Sequence, residues 1–301
     1  MLQFLVDTLL RASDLALIAL GLSMVYGLVK FPNIAHVQYA MLGAYMTFAL
    51  QTAGLPLVAA ILVSCLLTGV LTLLLHLLVF RRLLRAGPAI TMIGSLAVAM
   101  LIIAFMQGLA GSFPRMFNLP LTAPWVLLDA RITPLQAMTV ATSLTVLLVF
   151  TLLLFCTRTG RALRALASNA PLAAASGLDA EGLTRAVNFS SGAIAALGGS
   201  MLALSTGAHI NLGHDLLLPV FAAAILGGLG NPMGAVAGAV LIALTETAVT
   251  NINFGPLLAV FGGQGMVFMP VSYISAASFL ILLLALLFKP YGLFDREVRR
   301  V

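Results

Sequence analysis

Only two lysines occur in the 301 residues, Lys30 and Lys289, and they are followed by Phe31 and Pro290. A phosphate-binding P-loop needs Lys followed by Ser or Thr behind a glycine-rich turn. The glycine-rich GGLGNPMG at 227–234 contains no lysine, so ATP hydrolysis by this chain is not expected. Cysteine is equally sparse: Cys65 and Cys156 both fall in apolar runs. They read as small buried hydrophobes, and neither a disulfide frame nor a metal spacing is present. The four histidines (His36, His76, His209, His214) have no Cys or acid pair at ligand spacing, apart from His214-Asp215, which reads as a helix start. No catalytic constellation, metal site or cofactor motif emerges, and the chain reads as a non-enzyme. The first residues, MLQFLVDTLLRASD, carry acids and no basic run before an apolar stretch, so a cleaved signal peptide is not expected.

Charge itself is scarce. Charged residues make up 8% of the chain against 61% hydrophobic residues, and the mean hydropathy is +1.13. So few charges could not cover the core of a soluble domain of this length. Stretches 31–80, 86–114, 132–157, 186–214, 216–245 and 247–288 contain no Asp, Glu, Lys or Arg, and about 20 mostly apolar residues cross a bilayer as a helix. The alternation of a β-barrel is missing. The expectation is an all-α, polytopic transmembrane helical bundle of one domain, with about eight or nine spans including two short broken or re-entrant segments. The spans read as 13–30, 36–53, 56–80, 88–109, 134–156, 187–206, 216–229, 234–251 and 270–288.

The net charge of +6 is no nucleic-acid footprint, because the basic residues sit in short inter-helix segments. Twelve of the 15 Lys and Arg fall on one side of this topology; Arg11, Arg115 and Arg131 fall on the other. The positive-inside bias then places 81–87, 157–185 and the C-terminal tail in the cytoplasm and the N-terminus outside. Segment 110–133 becomes an external loop, its Pro114, Pro120 and Pro124 arguing against helix and Trp125 fitting an interfacial anchor.

Two breaks punctuate the helical pattern, Lys30-Phe31-Pro32-Asn33 and 227–234. Paired interrupted segments point to a transport site, because broken helices expose backbone dipoles; two ordinary turns are the alternative. Asn33, His36, Gln38 and Tyr39 crowd polar groups just after the first break and Asn231 sits in the second. Either they line a pathway or they bond helix to helix. Glu246 is the sole formal charge between 216 and 288, and a carboxylate at membrane depth is costly. It could line the path or meet a substrate ammonium, or it could sit near the external helix end, reaching water or bonded by Thr245 and Thr247. Small residues are dense in 190–200 and 234–240, where close helix contact within the chain is the default reading and a dimer seam the alternative.

The most distinctive segment is TRTGRALRALASNAPLAAASGLDAEGLTR, 157–185, which holds six of the chain's 24 charges. Such a polar island inside an apolar protein is expected to meet something in water. Arg161 and Arg164 lie three apart, on one face if the segment is helical.

Several stretches carry a resemblance. Asn33, Ala35, His36, Leu42, Gly43, Ala44 and Tyr45 match the Asn-Phe-Ala-His-Gly and Leu-Gly-Ala-Tyr elements of the permease subunits of branched-chain amino acid ABC transporters. Ile34 and Val37 depart from that pattern. Gly160, Arg161, Arg164, Ala165, Asn169, Ala174 and Gly177 stand in family positions, as do 222–246 with Glu246 and the KPYGLF of 289–294. The chain resembles the first permease of the Liv-type pair. The resemblance implies a multi-pass protein of the bacterial inner membrane, in contact with lipid. Its partners would be a second permease subunit (hetero- or homodimer), cytoplasmic ATPase subunits and a periplasmic solute-binding protein. It also implies that 157–185 carries the coupling helix that docks into the ATPase. The rival readings are an ion-coupled secondary transporter of small polar solutes, which would want several intramembrane ionisable groups, and a non-transport scaffold.

Overall fold

The computed structural model describes residues 2–119, 122–127, 130–251, 273–289 and 292–293. Helix α1 (Leu2–Val29) runs through the centre, and every residue from 15 to 25 is buried. A helix apolar on all sides has no face to give to water, and here the neighbours α6, α9, α10 and α11 surround it. Helix α2 (His36–Thr52) follows the first break; α3 (Leu57–Leu75) continues through a π-helical turn (His76–Phe80), the short α4 (Arg81–Leu83) and a 3-10 turn (Leu84–Ala86). Next come α5 (Pro88–Ala110), a hairpin of β1 (Trp125–Leu127) and β2 (Ala130–Ile132), and α6 (Pro134–Cys156). The chain closes with α7 (Arg158–Ser168), α8 (Ala170–Ala175), α9 (Ala180–Thr206), α10 (Leu212–Gly227), α11 (Pro232–Asn251) and α12 (Ile274–Phe288).

Among the described residues, six helical stretches are long and apolar enough to cross a membrane, and α10 and α12 are shorter apolar helices. The all-α membrane bundle read from composition is the fold. The expected span at 13–30 begins earlier, at Leu2, because the charges in its first turns are accommodated: Gln3 donates to Asp7 and Arg11 to Glu246. The start of the expected span 270–288 and the basic residues Arg296, Arg299 and Arg300 lie outside the described residues.

The outer helices are built inside out. On α3 the buried stripe is Ala60, Ile61, Ser64, Thr68, Gly69 and Thr72, while Leu62, Leu66 and Leu74 are exposed. On α5 the buried residues are Thr91, Ser95, Val98 and Ala99, while Ile93, Met100, Leu101 and Phe105 face outward. Lipid solvates Leu as well as a protein interior does, so small and hydroxylated residues take the helix contacts. Ser64 Oγ donates to the Gly43 carbonyl at 2.9 Å, and Thr47 and Ser200 share a hydrogen bond of 2.8 Å.

Glycines set the closest crossings. A Cβ placed on Gly199 would stand 2.0 Å from the Ala40 carbonyl oxygen, and one on Gly43 would stand 2.4 Å from Ala196 Cα. Gly234 and Gly238 meet Gly227 and Ala223 with the same intimacy across α10 and α11. Both small-residue stretches, 190–200 and 234–240, therefore pack within the chain.

The segment 111–133 contains no helix among its described residues, as its prolines imply. It is tied down by pairing of Arg115 with Ala208 and by Arg131 N–H donating to Gln3 Oε1. Cys65 is half-buried, but Cys156 is exposed at the end of α6, so the reading of both as buried hydrophobes holds only for the first.

Candidate functional site

The end of α1, just before the first break, meets the second break in space. Gly27, near the end of α1, lies against Gly230, whose carbonyl oxygen would stand 3.1 Å from a Cβ on Gly27. Lys30 adopts φ of 57°, a left-handed conformation that costs a side-chain-bearing residue energy, and its Nζ donates to the Ala167 carbonyl at 3.1 Å. Gly228 and Gly230 supply positive φ for the turn before α11, and Asn231 Oδ1 accepts from Gly234 N–H at 3.1 Å, capping α11. Leu293 N–H donates to Leu226 O. One end of the bundle thus gathers Lys30, the 227–234 turn, Leu293 and the polar island.

The island is helical, not a loop. Thr157 caps α7 by accepting from Gly160 N–H at 3.0 Å; Asn169 caps α8 by accepting from Leu172 N–H at 3.1 Å; Asp179 caps α9 by accepting from Gly182 N–H at 2.9 Å. Three Thr/Asn/Asp residues, each accepting from the N–H three positions on, thus start three helices. Gly160 allows α7 to fold onto the end of α6: a Cβ there would stand 2.2 Å from Leu154 O. Gly177, with φ of 83°, turns the chain after α8.

Helix α7 has two faces. Leu163 and Leu166 are buried, and Leu163 joins a cluster with Leu20, Met24, Val25, Phe150, Leu154 and Val187. Arg158, Arg161 and Ala165 are exposed. Arg164 is also exposed, but its guanidinium folds back over the Phe155 ring, 5.1 Å from the centroid, a cation–π contact. On α8, Leu172 and Ala174 are exposed. Glu181 on the first turn of α9 pairs with Arg185 and, at 2.8 Å, with Arg81, joining α4 to this platform. A cavity of about 320 Å³ lies between the platform and the core, lined by Met24, Gly27, Phe155, Arg164 and Asn231.

The polar group after the first break is buried in the bundle. His36 Nε2 bonds to the Ile18 carbonyl of α1 at 3.1 Å, and its ring meets Tyr39 edge-on with centroids 5.7 Å apart. Asn33 Oδ1 accepts from Ala35 N–H at 3.1 Å, and Gln38 is packed against Gly213 of α10. His36 and Gln38 thus join α2 to α1 and α10, while the Asn33–Ala35 and His36–Tyr39 contacts are local.

Glu246 has partners that its sequence context does not announce. It is 2% exposed, and its Oε2 accepts from Arg11 Nε at 2.6 Å. Oε1 accepts from Ser278 Oγ of α12. Thr245 instead bonds back to Leu241 O. The one signal that could have found this pair is complementarity, since a buried acid needs a cation and Arg11 is a lone positive charge in an apolar helix.

The fold and these paired breaks define a multi-pass helical membrane protein built around a central helix. The comparisons agree with this class. The sequence model of the family described as branched-chain amino acid transport system / permease component matches residues 4–288. The chain belongs to that family. It is 28% identical to the high-affinity branched-chain amino acid transport system permease protein BraD of Pseudomonas aeruginosa, over 100% of this chain and 98% of that protein. Identity to the permease protein LivH of Escherichia coli K12 is 26%, over 100% and 97%. A probable LivH of Methanocaldococcus jannaschii is 28% identical over 97% and 91%. Among solved structures, PsaBC from Streptococcus pneumoniae in complex with Fab shares the fold with a TM-score of 0.50 at 13% identity, over 94% of this chain and 91% of that one.

Proposed function

We propose that this chain is the inner-membrane permease subunit of an ATP-binding-cassette importer of branched-chain or related amino acids. The observation that carries the reading is the α7–α8 platform: a charged outer face on a helix whose inner face is rooted by Leu163 in the apolar cluster of α1, α6 and α9. Separate ATPase subunits dock on 157–185, with Arg161 and Arg164 supplying charge-assisted bonds; Gly160, Ala165, Asn169, Ala174 and Gly177 shape the element. The platform lies at the cytoplasmic end, together with the C-terminus. A second permease subunit completes the path, and a periplasmic solute-binding protein delivers the amino acid.

Movement of the platform is transmitted to α1 through Leu163 and through the Lys30–Ala167 bond. The paired breaks and Asn33, His36, Gln38, Tyr39 and Asn231 form the part of the path wall that shifts. ATP can bias the two states only through contacts that differ between them. Glu246 is neutralised by Arg11, which supports ATP-driven transport over ion coupling through that acid. The test is uptake of labelled L-leucine into vesicles that hold the complete importer. Uptake is expected to require ATP and the ATPase subunits. Uptake from an ion gradient without either contradicts the proposal.

A further inference from the structure

At the end of the bundle away from the platform, a cavity of about 540 Å³ opens between α1, α9, α10 and α12. That volume falls in the range of small-molecule sites. Leu202, Leu212 and Ile274 line it with apolar surface, Arg11 and Asp215 bring charge to it, and His209 adds a polar ring. The two opposite charges are held differently. Arg11 is fixed by Nε to Glu246, a carboxylate that is itself buried and bonded to Ser278, and its Nη groups have no further hydrogen bond among the described residues. Asp215 sits in the first turn of α10, where the helix dipole favours an anion, with His209 Nε2 3.3 Å from Oδ2. Asp215 remains largely exposed, at 64%.

From this arrangement we infer that the cavity is a binding site for an aliphatic α-amino acid in its zwitterionic form. Arg11 receives the α-carboxylate, Asp215 receives the α-ammonium, and the leucine and isoleucine wall receives the side chain. A guanidinium presents several N–H donors in a planar fork that matches a carboxylate, and Glu246 acts as the positioning residue that aims it. A zwitterion satisfies both charges at once, whereas a cation or an anion alone would leave one of them facing a like charge. The site rests on the proposed amino-acid transport and gives the substrate a place on the membrane subunit itself, at the end opposite the ATPase platform.

The test is binding to the purified full-length chain in lipid nanodiscs, read by saturation-transfer NMR. The probes are L-leucine, 4-methylpentanoate, which lacks the ammonium, and leucinol, which lacks the carboxylate. Asp215→Asn is expected to weaken L-leucine about tenfold, the scale of a lost charged hydrogen bond, and to leave 4-methylpentanoate bound as tightly or more tightly, because that anion no longer faces a like charge. Arg11→Lys keeps a cation for Glu246 but removes the fork; it is expected to weaken L-leucine and 4-methylpentanoate together and to spare leucinol. No binding of L-leucine to the parent chain, equal loss of all three probes, or L-leucine binding indifferent to Asp215→Asn each overturns the site. Failure of the transport proposal shows separately. Vesicles with the complete importer that take up no branched-chain amino acid overturn both, while normal uptake with binding indifferent to Asp215→Asn overturns the site alone.

Discussion

Arg11 and Glu246, 235 positions apart, form an ion pair of 2.6 Å in which the carboxylate is 2% exposed and the guanidinium side chain 29%. The pair joins α1 to α11, and Ser278 brings in α12. The asymmetry of exposure sets the mutational consequences. Arg11→Met leaves a buried carboxylate without a cation and is expected to cost about 3–5 kcal/mol. Glu246→Gln leaves an arginine that can turn to solvent and an amide that still accepts from Ser278, so its cost is expected to be smaller, about 1–2 kcal/mol. The double substitution is expected to recover most of the loss. Thermal unfolding of the four proteins in one detergent gives the cycle, and a milder Arg11→Met than Glu246→Gln contradicts it.

Glycines 199 and 108 provide a matched pair. Gly199 crosses α2 with no space for a side chain, and a Cβ there would reach the Ala40 carbonyl oxygen at 2.0 Å. Gly199→Ala must push two helices apart and is expected to destabilise by about 1–3 kcal/mol. Gly108, on α5, has open space beside it, and a Cβ there would meet nothing within 4 Å. Gly108→Ala is expected to change stability by about 1 kcal/mol or less, in the stabilising direction. Melting temperatures of the two variants by fluorescence-detected size exclusion decide it.

Asn231 caps α11 through Gly234 N–H. Asn231→Ala is expected to lose about 1 kcal/mol, and Asn231→Ser to keep most of it, since serine caps nearly as well. L-leucine uptake is expected to follow stability across the two variants. Full stability with abolished uptake in Asn231→Ser would assign the amide a direct role in the path.

Much of the fold was legible because each signal was local. The charge-free runs marked the apolar helices, the prolines of 111–133 excluded helix, and the small residues of 190–200 and 234–240 marked the crossings. Asn33, His36, Gln38 and Tyr39 were legible as groups kept away from lipid, since lipid cannot satisfy them. The distant pairings were not legible. Arg11 and Glu246 carry no pattern that links α1 to α11, and Arg81 meets Glu181 only because α3 and α9 pack side by side. The helical nature of 157–185 was only half visible. Its capping residues Thr157, Asn169 and Asp179 were present, but arginine, glycine and proline interrupt the sequence between them and the segment shows no long apolar run. The short hairpin of β1 and β2 depends on docking, with Gln3 receiving Arg131 N–H, and no local alternation announces it.

Transport as proposed here depends on an ATPase docking on the exposed face of α7 and α8. The most direct measurement is co-purification of the tagged chain from its native membrane, comparing the parent with Arg161→Glu/Arg164→Glu. Both side chains are exposed, so the double variant is expected to fold and to elute in size exclusion as the parent does. A P-loop ATPase is expected to accompany the parent in stoichiometric amount, and the reversed charges are expected to reduce its recovery at least about tenfold, since charge-assisted bonds become repulsive. Equal recovery of the ATPase with both proteins, or its absence from the parent, rules out docking on this face.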